Sequence, residues 1–104
     1  MKVVYNTCFG GFSISRECAE WLAARGNLEC IKMLADKEFY GGLDETPRHD
    51  PTLVLALEEL GSEVASGSCA KLALHTLSDN RYYIEEYDGN EGVIEPKAVK
   101  WIVV

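Results

Sequence analysis

Residues 72–95 read LALHTLSDNRYYIEEYDGNEGVIE, and the way this stretch is parsed decides the fold class. Leu72, Leu74 and Thr76 alternate with Lys71, Ala73 and His75, the period of two that turns one face of a strand toward a core. His75, on the polar side, is expected at the surface. The segment RYYIEEY (81–87) alternates in the same way, and Ser78, Asp79 and Asn80 are turn residues, so the two segments are expected to form a hairpin. Asp88, Gly89 and Asn90 turn the chain again into GVIE (92–95), and after Pro96 the segment AVKWIVV (98–104) reads as an apolar final strand. At the other end, KVVY (2–5) is rich in β-branched and aromatic types and forms a first strand that gives way to a loop at Asn6 and Thr7.

The region between reads as helical. SRECAEWLAARG (15–26) places Cys18, Trp21, Leu22 and Arg25 at helical spacing behind Ser15, a suitable N-cap. NLECIKMLADKEFY (27–40) puts Leu28, Ile31, Leu34 and Ala35 on one helical face, although the missing stop signal also permits a strand. GGLDETPRHDP (41–51) is the longest irregular stretch, of the kind that often carries function in a compact domain. Asp50 and Pro51 then open a helix whose stripe of Leu53, Val54, Leu57 and Leu60 closes at Gly61, and a Ser/Gly-rich turn follows. The whole, residues 1–104, is expected to be one α+β domain. An N-terminal strand and two or three helices precede a mostly antiparallel sheet of three or four C-terminal strands, with the first strand inserted beside later ones.

With 47% hydrophobic residues, a chain of this length can bury roughly 65% of its unfolded surface and needs no disulfide staple. Its formal net charge is −7, from 17 acidic and 10 basic residues. That field repels phosphate backbones and argues against direct nucleic-acid binding. A small anion is still admissible, because converging donors act within a Debye length of about 8 Å. The opening MKVVYN contains no signal-peptide core, and no apolar run approaches the ~20 residues of a membrane span, so a cytoplasmic protein is expected. Cys8, Cys18, Cys30 and Cys69 contain no Cys-x-x-Cys pair and read as free thiols. Nothing in the sequence calls for a cofactor or a metal.

The chemistry concentrates at NTCFGGFSIS (6–15). Two adjacent glycines between a strand and a helix can bring backbone amides close to an anion, and a helix N-terminus carries about half a positive charge. The amides of Gly10, Gly11 and Phe12 would form the cradle, Ser13 and Arg16 would add a hydroxyl and a cation, and Phe9 or Phe12 would stack on a base. Glu17 competes for the same dipole, and the spacing matches neither the dinucleotide fingerprint nor the Walker loop. The plainer alternative is a tight turn with both phenylalanines in the core. In RHDP (48–51), Arg48 can hold a phosphate with two parallel hydrogen bonds and His49 can move a proton near neutral pH. As a loop residue outside the core, Arg48 should be replaceable by alanine without loss of the fold. EEYDGNE (85–91) gathers Glu85, Glu86, Asp88 and Glu91 without the calcium-loop pattern, as a solvated hairpin tip or an acidic face for a basic protein.

The opening MKVVYNTCFGGFSIS resembles that of a group of small bacteriophage and prophage proteins, in which a strand is followed by Asn-Thr-Cys-aromatic-Gly-Gly-Phe. RHDP before a helix and IEEYDG near the end (84–89) look like further marks of the group. The resemblance covers the beginning, Arg48 to about Gly61, and Ile84 to Gly89, and it implies a phage protein acting in a bacterial cytosol, with no reaction attached. The reading placed first is a binding protein that sequesters a phosphate-bearing, nucleotide-like ligand as a counter-defence factor, with Phe9, Gly10, Gly11, Phe12, Ser13, Arg16, Arg48 and His49 as its site. The alternative is an acidic, anti-CRISPR-like inhibitor of a basic host defence or nucleic-acid enzyme. An enzyme, such as a phosphodiesterase using His49, ranks behind both, with no catalytic residue assigned. Assembly with further copies of the chain is left open.

Overall fold

The computed structural model describes residues 1–96. Eight elements follow in the order β1 (Lys2–Asn6), α1 (Arg16–Ala23), α2 (Leu28–Ala35), α3 (Pro51–Leu60), α4 (Ser62–Ala65), β2 (Leu72–Thr76), β3 (Tyr83–Tyr87) and β4 (Asn90–Ile94). This is an α+β fold with an N-terminal strand, helices and C-terminal strands. The strand expected over 98–104 lies outside the described residues. Among the described residues no helix is long and apolar enough to cross a membrane.

Local chemistry places the helices. Ser15 accepts a hydrogen bond from the Cys18 amide and caps α1, Asn27 does the same for Cys30 at α2, and Asp50 for Leu53 at α3, with Pro51 in the first turn where no donor is lost. The core gathers Val4, Ile14, Leu22, Leu53 and Leu72 with Cys18 and Cys30. Val3 and Val4 are both buried, with α3 and β4 packed close to β1. Where only a Ser/Gly-rich turn was expected, α4 adds one helical turn.

Two expectations are corrected. The hairpin between residues 72–77 and 81–87 does not form. Instead β2 pairs antiparallel with β1, Val4 opposite Leu74, while β3 pairs with β4, Ile84 opposite Val93. The connection after β2 is drawn elsewhere. Leu77 N–H donates to the Met1 carbonyl, extending the ladder toward β1, and the amides of Ser78 and Asp79 donate to the Glu95 carboxylate. His75 is accordingly not a plain surface residue. Its Nε2 lies 2.8 Å from Glu95 Oε2, and that bond, with the Ser78 and Asp79 amides, holds the Glu95 carboxyl down to about 2.

The second correction concerns α2. The predicted inner face is largely its outer one, since Leu28 and Ile31 are 70% and 45% exposed while Cys30 is buried and Met33 and Leu34 pack on the core. The helix is rotated by Glu29, whose carboxylate accepts from the amides of Asp44 (2.6 Å), Glu45 (3.0 Å) and Thr46 (2.8 Å) and from the Thr46 hydroxyl. Burial acts to raise the Glu29 pKa, but these donors outweigh it and lower it. The long irregular stretch is thereby strapped to α2.

Cys18 and Cys30 face the interior, and burial pushes their thiols up to about 12 and about 11. Cys69 is exposed and Cys8 half-buried. Iodoacetamide at neutral pH is therefore expected to label Cys69 first and Cys8 more slowly, leaving Cys18 and Cys30 unmodified until denaturant is added. Intact-mass spectrometry with peptide mapping reads the order, and rapid native labelling of Cys18 would contradict this packing.

Candidate functional site

The edge of β1 opposite β2 presents free amides, and two distant segments satisfy them. Val4 N–H donates to the Arg48 carbonyl (2.9 Å), and Asn6 N–H donates to Glu91 Oε1 (2.9 Å). Arg48 then closes the circuit, its Nη1 and Nη2 donating to the two Glu91 oxygens at 2.6 and 3.0 Å. The other side of the guanidinium is covered by the Phe12 ring, 3.6 Å from Cζ to centroid. The Asn6 side chain ties the same junction, donating to the carbonyls of Cys8 (2.6 Å) and Gly89 (2.7 Å) and accepting from the amides of Cys8 and Lys71. A strand edge, the glycine loop and the β3–β4 hairpin meet on one buried polar node.

This node divides the predicted anion site. Arg48 is not a free loop cation, because its guanidinium is held by Glu91 and Phe12. Gly10 and Gly11 do not open the helix, since Phe12, Ser13, Ile14 and Ser15 separate them from α1, with Ile14 bridged to Ser66. Gly10 answers a packing need instead, because a Cβ there would run into the carbonyl oxygen of Cys69. His49 is turned to Tyr82, its Nδ1 2.7 Å from the hydroxyl. Burial raises the Tyr82 phenol pKa, with the Arg48 cation acting the other way.

Ser13 and Arg16 come together in a cleft of about 290 Å³ that also takes in Phe39 and Ser68. The Arg16 guanidinium sits 5.0 Å from the Phe39 centroid and, among the described residues, forms no ion pair. Phe9 goes elsewhere. It is 61% exposed and lines a depression of about 340 Å³ with Glu85, Tyr87 and Gly92. Among the described residues no group of three or more His, Cys, Asp or Glu is placed to hold a metal.

That depression belongs to the surface of the β3–β4 hairpin. Asp88 (φ 51°) and Gly89 (φ 88°) form the two-residue turn of a tight hairpin. Strand alternation sends Glu91 and Ile84 inward and leaves Tyr83, Glu85 and Tyr87 in one row on the outer face, with Tyr83 59% and Tyr87 79% exposed. Opposite Glu85 stands Gly92, where an added Cβ would meet nothing. Glu86, opposite Glu91 on the other face of the strand, and Asp88 in the turn are exposed, whereas Glu91, expected at a solvated tip, is buried. The signal for this row was the alternation of RYYIEEY. The roles of Asn6 and Glu91 had no local signal. No protein family, curated protein or solved structure matches the chain.

Proposed function

We propose that this chain is a binding protein that captures a basic protein partner on the outer face of the β3–β4 hairpin. The observation that carries the reading is the exposed row Tyr83, Glu85, Tyr87, with Phe9 lining the same depression, Asp88 exposed in the turn and Glu86 exposed on the opposite face of β3. Exposed tyrosines supply contact area at little cost in side-chain entropy and attract guanidinium and ammonium groups over their rings. Glu85 between them and Glu86 and Asp88 nearby, within a net charge of −7, steer a basic surface into contact and repel acidic ones. For a phage-type protein in a bacterial cytosol, the fitting target is a host defence or nucleic-acid enzyme whose own binding surface is basic. Occupying that surface inhibits it without any catalysis.

The cleft at Arg16 favours a second reading, capture of a phosphate-bearing, nucleotide-like ligand. Ser13, Ser68 and Arg16 offer hydroxyls and a cation, and Phe39 offers a ring.

One set of titrations separates the two. A short synthetic peptide of alternating valine and arginine is titrated into wild type, E85K/E86K/D88K and Arg16→Ala, followed by a panel of cyclic and linear nucleotides. The first reading expects the peptide to bind wild type, more weakly as salt rises. Charge reversal should slow association by on the order of tenfold or more, and Arg16→Ala should leave it unchanged. Nucleotide binding lost in Arg16→Ala, with no response to the peptide, would replace the first reading by the second.

A further inference from the structure

We infer that the partner's basic segment joins the hairpin as an added strand on the open edge of β3, an inference that rests on the reading of the outer face as a basic-protein site. Because the turn holds two residues, Tyr87 and Asn90 form the pair that exchanges hydrogen bonds, and the alternation makes Glu85 with Gly92 and Tyr83 with Ile94 the next such pairs. The N–H and C=O groups of Ile84 and Glu86 therefore point away from β4. Among the described residues β3 pairs with no other strand, and no backbone hydrogen bond reaches those four groups from elsewhere. The side of β3 away from β4 thus carries no paired strand among the described residues.

The charges select the occupant. A second copy pairing antiparallel through the same edge would set either Glu85 or, in the neighbouring register, Glu86 against its own counterpart, and like charges directly across strands are unfavourable. An extended segment with lysine or arginine at every second position instead places its cations beside Tyr83, Glu85 and Tyr87, while its backbone bonds to Ile84 and Glu86. Specificity thus follows the alternation of the partner's sequence, and affinity the main-chain bonds.

Amide exchange measured by NMR, with the alternating valine–arginine peptide as probe, tests this. In the free protein, at any concentration, the amides of Ile84 and Glu86 should exchange quickly while those of Glu85 and Tyr87 are slow. At saturating peptide, Ile84 and Glu86 should slow by about tenfold or more. Glu86→Pro removes the outward donor and Glu86→Gln removes the same charge but keeps it, so the proline variant should bind the peptide about tenfold more weakly than the glutamine variant. Peptide binding with Ile84 and Glu86 still exchanging quickly, or equal affinity in the two variants, would overturn strand addition and leave the basic-partner reading standing. Slow exchange at both amides before any peptide is added would show the edge already occupied and also overturn it. Absence of peptide binding to wild type would remove the underlying reading itself.

Discussion

Arg48→Ala is expected to lower the folding free energy by about 3–5 kcal/mol, the range for removing one partner of a buried ion pair. The Glu91 side chain is only 4% exposed, so without Arg48 its buried carboxylate keeps a single hydrogen-bond donor, the Asn6 amide. The substitution also uncovers the Phe12 ring that the guanidinium stacks on. Glu91→Gln should cost less, because the amide oxygen can still accept from Asn6 and the freed guanidinium, at 20% exposure, can turn toward water. The double variant should be more stable than the sum of the single losses implies, since one removes the charge that the other strands. Urea titrations of the four proteins provide the cycle. A loss below about 1 kcal/mol for Arg48→Ala, the value of an exposed pair, would refute the buried node and restore the expectation of a replaceable loop cation.

Gly89→Ala should be nearly as damaging, at about 2–5 kcal/mol, for two independent reasons. Its φ of +88° lies in the left-handed region, which costs a residue with a Cβ about 1–2 kcal/mol. That Cβ would also run into the carbonyl oxygen of Phe9 and the backbone of Gly11, and forcing the loop and hairpin apart adds about 1–3 kcal/mol of overpacking. Gly11 makes the control, sharing the positive φ of +88° but facing open space, so Gly11→Ala should lose only the conformational part. Thermal unfolding of the two alanine variants tests the difference. Equal losses would mean that the hairpin turn does not press on the glycine loop as described.

Much of the local structure could be read directly. Ser15 and Asp50 are short polar residues ahead of apolar periodicity, and each caps its helix as expected. Asp88 and Gly89 are a tight-turn pair, and they turn β3 into β4. The candidate site was legible only in pieces. Ser13 and Arg16 do share a cleft and the hairpin tip is acidic, yet Gly10, Arg48 and Phe9 serve three different neighbourhoods.

The amino-acid order by itself determined the strands and helices of strong local pattern, the caps at Ser15 and Asp50, the Asp88–Gly89 turn and the strong acidic balance, because each depends on side chains within a few residues of one another or on composition alone. It left open the helical state of α2 and missed α4. Tertiary structure decided everything that joins residues far apart in the chain. It gave β2 to β1 rather than to β3, turned Cys30 rather than Leu28 inward, and buried Glu91 against Arg48, 43 positions away. Alternation states that a strand has two faces but not which edge it will share, and a carboxylate at a hairpin tip looks the same in sequence whether water or an arginine is to neutralise it. Only when the edge of β1 requires acceptors at Val4 and Asn6 do the Arg48 carbonyl and the Glu91 carboxylate acquire their places. The same assembly leaves Tyr83, Glu85 and Tyr87 facing solvent.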